Sequence, residues 1–175
     1  MKTIEKDDWK FSVDIEKTKE YYKTHSICEC ADCRNFYAQI EEKLPKLKEF
    51  LSEFGVDISR PDEICSYTYE NEIDYNVVYY TVCGKVVEDS KYEIDIYDNL
   101  FLSIVVHDDT APPNEQTGQY FTFSVFQIRL PWVLDEPFPD TRKIPKKIKL
   151  ATKERLFDKI HEFLKRRYKN RSDTL

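Results

Sequence analysis

Glycine is nearly missing from this 175-residue chain: Gly55, Gly84 and Gly118 are the whole complement. Loops that cradle phosphate need closely spaced glycines, because a side chain would keep the backbone N–H groups from converging on the anion. No two of these three are close, so P-loop and dinucleotide-binding signatures are excluded, and there is no G-x-S-x-G nucleophile elbow. Histidine is scarce too, with only His25, His107 and His161. His107-Asp108-Asp109 falls at the end of an expected strand and reads as a polar strand terminus, without an identifiable acid–base partner. His161 falls on an expected helix.

Long apolar runs are also missing. Nothing approaches the ~20 consecutive apolar residues that a bilayer crossing requires. The charged opening, Met1 to Asp8, has no apolar stretch and does not read as a signal peptide. Five cysteines form an odd set with three crowded together, unlike a secreted disulfide framework. The expected compartment is therefore a reducing cytoplasm.

What is present describes a folded globule. Hydrophobic residues make up 41% of the chain and aromatics 14%, enough to fill the core of one domain. The net charge of −6 hides an asymmetry. Residues 1–140 carry 14 basic and 29 acidic side chains, whereas residues 141–171 carry 13 and 3. An acidic body with a basic tail suits a tail lying on its own body, or one contacting an acidic or phosphorylated partner. Nucleic acid is disfavoured by the sequence pI of about 5.2.

Ordered along the chain, residues 1–60 read as helical, 61–134 as an antiparallel sheet, and 135–175 as a Pro-rich strap followed by a basic C-terminal helix. Residues 1–11, with Trp9 and Phe11, read as an extended lead-in. Ser12 or Asp14 caps a helix over about 14–23. Phe36, Ile40, Leu44, Leu47, Leu51 and Phe54 step by threes and fours along a second helix. Pro45 should kink or split it, and Gly55 should end it. Five strands follow: 64–69, 75–83, 91–97, 100–107 and 120–130. Their connections are too short for parallel crossovers, so a mainly antiparallel meander is expected. The 108–119 connection, holding Pro112 and Pro113, reads as a surface loop. Its Asp108, Asp109, Asn114 and Glu115 lack EF-hand spacing for calcium. Leu130 to Pro139 reads as the strap, with Trp132, Leu134 and Phe138 sealing the core. Residues 151–168 read as an amphipathic helix, whose last turn holds Lys165, Arg166, Arg167 and Lys169, a candidate partner-binding cluster. The fold class is α+β, with the helices on one face of the sheet and tyrosines on the other.

Chemistry concentrates between His25 and Cys33, in the run His25-Ser26-Ile27-Cys28-Glu29-Cys30-Ala31-Asp32-Cys33. Zinc takes thiolate and imidazole ligands, usually in pairs two to four residues apart. His25 with Cys28, and Cys30 with Cys33, both have that spacing. One nonapeptide without glycine closes poorly around a metal, so three of the four plus Cys83, beside a turn, make the more favourable shell. Cys65, His107 and His161 are weaker fourth ligands. Cys30-x-x-Cys33 at a helix start also suits thiol redox chemistry, although a thioredoxin-like fold would place a strand before it. Buried thiols with no chemistry are the bland alternative.

The functional expectation is a non-catalytic cytoplasmic binding domain, with a structural zinc at residues 25–33. The alternative from another class is a thiol redox protein or sensor using Cys30 and Cys33. The partner is a protein of unspecified identity, with no membrane. An acidic domain also suits an immunity-type neutraliser of a basic toxin. Leu44 to Gly55 is similar to the opening of one class of immunity proteins, over a stretch of generic helix. The Gly- and Trp-marked segments expected after it in that class are missing.

Overall fold

A computed structural model describes residues 1–107 and 118–139, apart from the side chain of Tyr69. The expected C-terminal helix with Lys165, Arg166, Arg167 and Lys169, the residue His161, and Asp108, Asp109, Asn114 and Glu115 lie outside the described residues. The described elements belong to one compact unit ending at Phe138.

The architecture is α+β, with an antiparallel sheet and a set of short helices. Among the described residues the sheet has seven strands rather than the expected five, and two of them precede the helices. β1 (Lys2–Lys6) and β2 (Trp9–Val13) form a hairpin, with Lys6 opposite Trp9 across the two-residue loop Asp7-Asp8. Asp7 takes the left-handed conformation that such a tight loop requires, at φ 49°. The residues read as a lead-in therefore form a hairpin, and Trp9, Phe11 and Val13 point into the core.

The helices are α1 (Ile15–Thr24), α2 (Ala31–Tyr37), α3 (Ile40–Lys43) and α4 (Pro45–Glu53). Asp14 caps α1, its carboxylate accepting from Lys17 N at 3.1 Å. The expected long second helix is broken at Pro45, which opens α4 with no N–H to lose, and again at Ala38-Gln39. Gly55, at φ 82°, ends α4: Val56 N donates to Leu51 O at 3.1 Å and Gly55 N to Ser52 O at 3.0 Å. Both bonds satisfy carbonyls that the helix leaves unpaired, in a Schellman arrangement.

β3 (Glu63–Tyr69), β4 (Glu72–Glu88), β5 (Ile94–Tyr97), β6 (Phe101–His107) and β7 (Tyr120–Pro131) complete the sheet. Its order is β1-β2-β4-β7-β6-β5, with β3 also on β4. Every pairing is antiparallel, but the chain is not a simple meander, because β7 returns between β4 and β6. The sheet curls: Trp9 Nε1 on β2 donates at 2.9 Å to the carbonyl of Tyr92, just ahead of β5. Inside the curl, Phe11, Phe50, Phe54, Phe121 and Phe123 pack ring against ring, with centroids such as Phe54–Phe123 at 4.9 Å. Edge-on contacts of this kind suit the aromatic quadrupole and contribute beyond area burial.

One irregularity keeps this core continuous. On β4 the inward residues are Ile73 and Tyr75, then Val78, Tyr80 and Val82. On β7 they are Phe121, Phe123 and Val125, then Ile128 and Leu130. The alternation slips by one on both strands between Tyr75 and Val78 and between Val125 and Ile128, while their mutual register is unchanged. Gln127, at φ 71°, absorbs the slip on β7, and β3 skips Asn76 on the other side. Tyr75 and Tyr80 are fully buried in the core, whereas Tyr92 and Tyr97 are largely exposed. The tyrosines therefore do not share one outer face.

Candidate metal centre

β4 is the spine that positions the cysteine turn. One of its edges is paired with β7 along Glu72 to Cys83. The other carries β3 as far as Tyr79 and β2 from Gly84 on, which leaves residues 80–83 without a strand. Unpaired backbone groups there would be costly, since each buried orphan loses its water without compensation. Asp62, just ahead of β3, and helix α1 with its N-cap residue Asp14 fill the gap. Asp62 N donates to Tyr79 O at 2.9 Å and Asp14 N to Cys83 O at 2.8 Å. Tyr22 Oη donates to Thr81 O at 2.9 Å, and Thr18 Oγ1 accepts from Cys83 N at 3.0 Å. Side chains of a helix thus continue the hydrogen-bond ladder of a strand edge.

This seam fixes the first end of the turn. His25, just past α1, is buried and stacks on Tyr21 with ring centroids 5.1 Å apart. Its Nε2 lies 3.4 Å from Pro61 O and 4.0 Å from Asp62 Oδ1, and its carbonyl accepts from Arg60 Nη2. The Asp62 side chain is fully buried. Desolvation pushes its carboxyl above the usual range, against the opposing pull of Tyr21, Thr81 and His25.

The second end is fixed by α2. Asn35, fully buried, donates through Nδ2 to Tyr75 Oη at 2.9 Å and to Pro131 O at 3.0 Å, and accepts from Val133 N at 2.8 Å. Gln39 Nε2 donates to Pro131 O at 2.9 Å. Tyr75 Oη donates to Asp32 O and Ser66 Oγ to Asp32 Oδ2, both at 2.9 Å. Arg34 pairs with both oxygens of Glu136 at 2.6 and 2.7 Å. The strap, Pro131 to Phe138, is bound to α2, and Trp132 packs on Phe138 with centroids 5.7 Å apart.

Between these two anchors the chain brings together Cys28, Cys30 and Cys33, whose Sγ atoms all lie within 4.8 Å of one another. Cys30 is the N-cap residue of α2, and Cys33 lies in its first turn. Cys28 and Cys30 are exposed and Cys33 is buried. The backbone N–H of Cys30, 3.5 Å from Cys28 Sγ, leads the contacts that lower the Cys28 thiol below its ordinary value. Burial, followed by the neighbouring Cys30 and Cys28, pushes the Cys33 thiol well up. The Tyr37 hydroxyl lies against Cys33, one helical turn on, and its acidity falls, first through burial and then through the three thiols.

The structure therefore unites three of the five expected ligands. His25 is not in the group, because its ring is held by Tyr21 and Pro61 at the α1 seam. Cys83 is not in it either, being buried in β4 beneath α1, with its backbone N–H taken by Thr18. Cys65 is exposed on β3, and His107 ends β6 opposite Thr122. Tyr37, Asn35 and Asp62 escaped sequence reasoning. The i, i+4 spacing of Cys33 and Tyr37 was the available signal for the first. No local pattern marks the other two, whose partners lie more than 30 residues away in sequence.

No helix of the described residues is long and apolar enough to cross a membrane. Comparison with protein-family models, with curated proteins and with solved structures found no match.

Proposed function

We propose that this chain is a non-catalytic binding domain of the cytoplasm that holds a zinc ion between Cys28, Cys30 and Cys33. The convergence of the three sulfurs carries this reading. A zinc–thiolate bond of about 2.3 Å places tetrahedral sulfurs about 3.8 Å apart, so small side-chain rotations close the group onto a metal. Disulfide exchange needs only two of the three thiols. The remainder of the reading rests on surfaces: the acidic residues 1–140 suit a basic protein partner, such as a toxin to be neutralised. The basic run Lys165, Arg166, Arg167 and Lys169 is the second proposed partner contact.

The second reading is a thiol switch using Cys30 and Cys33, favoured by the exposure of Cys28 and Cys30 to oxidants and small thiols. Metal content and thiol accessibility of chelator-free protein decide between the two. Zinc binding gives about one zinc per chain, with the exposed thiols of Cys28 and Cys30 slow to alkylate until a chelator is added. A metal-free protein whose thiols form a reversible disulfide at a physiological potential removes the zinc reading and establishes the switch.

A further inference from the structure

We infer that the metal held by Cys28, Cys30 and Cys33 keeps one coordination position facing solvent, and that this position takes a neutral nitrogen donor of the imidazole class. The inference rests on the zinc reading above and extends it to the ligand that the site accepts. A tetrahedral ion needs four donors. Among the described residues the group comprises three cysteines, with no histidine or carboxylate in it. Its two sides differ. Cys33 is buried on α2 beside Tyr37, whereas Cys28, Glu29 and Cys30 are exposed. A metal at the sulfur centre is thus backed by protein on the Cys33 side and meets water on the other. Structural zinc sites are closed, and an open position is the mark of a site that engages an exchangeable ligand.

Charge selects the ligand. Three thiolates on a divalent ion leave a net −1. Glu29 stands next to two of the ligands in sequence, and the Arg34 charge is engaged by the carboxylate of Glu136. A fourth thiolate would add further negative charge to this surroundings, whereas an imidazole nitrogen completes the shell without adding any.

The test uses the full chain loaded anaerobically with Co2+, whose visible absorption reports coordination, alongside His161→Ala. Imidazole is the probe. The expected result is one Co2+ per chain and a saturable spectral shift with one imidazole per cobalt, the same in both proteins. Cobalt bound with bands unmoved by imidazole in both proteins overturns this inference and leaves the zinc reading standing, since the chain then closes its own shell. Bands that move only in His161→Ala overturn it as well, by assigning the fourth position to that histidine. Absence of cobalt uptake, with zinc also refused, overturns the zinc reading on which it rests.

Discussion

Removing the Asn35 side chain tests whether α2 and the strap are one mechanical unit. Asn35 makes three side-chain hydrogen bonds, to Tyr75, Pro131 and Val133, from a fully buried position. In Asn35→Ala, Tyr75 Oη keeps its bond to Asp32 O, and Pro131 O keeps Gln39. Val133 N–H loses its partner in a partly buried position. Three net contributions of about 1 kcal/mol each give a loss of about 3 kcal/mol. Urea unfolding at unchanged m-value measures it. Arg34→Ala is the control: its ion pair with Glu136 is more than two-fifths exposed on both sides, so its removal should cost under about 1 kcal/mol. A second assay follows the consequence for the site. Cys33 is only 5% exposed, and the packing of α2 keeps it so. Its alkylation in metal-free protein should accelerate at least tenfold in Asn35→Ala and change little in Arg34→Ala. A loss below 1 kcal/mol with unchanged Cys33 alkylation would refute the view that Asn35 joins the strap to the helix.

Two further perturbations follow from the strand seam. The Asp62 carboxyl has a folded-state pKa raised from 3.8 by burial, so its favourable contribution is complete below the unfolded value and is lost as pH rises through the folded one. Asp62→Asn cannot ionise, so the variant should gain on the native chain as pH climbs from about 4 toward neutrality, read as diverging urea midpoints; a variant that instead loses ground over this range contradicts the assignment. At Gly84, φ is 150° and an added Cβ would meet the Ser12 carbonyl oxygen at 2.2 Å and Val13 Cα at 3.0 Å. Gly84→Ala should therefore cost more than about 2 kcal/mol and selectively expose the amides of β1 and β2 to hydrogen exchange, and a near-neutral variant would disprove that close approach.

Features governed by a residue and its immediate neighbours were legible in the sequence. Asp14 caps α1, Pro45 opens a new helix and Gly55 closes it because each acts within about one turn. Residues 1–11 read as an extended lead-in, although Trp9, Phe11 and Val13 alternate and belong to a hairpin. Its loop is Asp7-Asp8 rather than a glycine-bearing pair, so the usual turn signal was missing. The place of β7 beside β4 has no local signature. It follows from fitting inward faces on both sides of the slip at Gln127, which only the assembled sheet defines. The cysteine turn shows the same division. Spacing marked His25, Cys28, Cys30 and Cys33 together, and the structure brings the three cysteine sulfurs close to one another. His25 has equally suitable spacing, but its ring position is set by Tyr21 and Pro61.

This division bears on how a metal would act in the chain. In a small zinc finger the ligands are disordered until the ion arrives, so metal binding and folding are one event. Here both ends of the turn are held by metal-independent contacts: His25 by Tyr21 and Arg60, and α2 by Tyr75, Ser66 and the strap. The span between His25 and Asp32 is six residues, and the loop-closure cost of bringing its sulfurs together is already met by the surrounding sheet. The aromatic core around Phe54 and Phe123 lies elsewhere, inside the curl of the sheet. Destabilisation of the whole helical layer on metal loss, the natural expectation for a structural zinc, therefore gives way to a local effect. Chelation should release residues 26–31 and open Cys28 and Cys30 to alkylation, while Cys33 stays packed on α2 and the strands stay folded. A site whose scaffold survives without its ion can gain and lose that ion reversibly, a property that suits an exchangeable coordination position better than a permanent structural clamp.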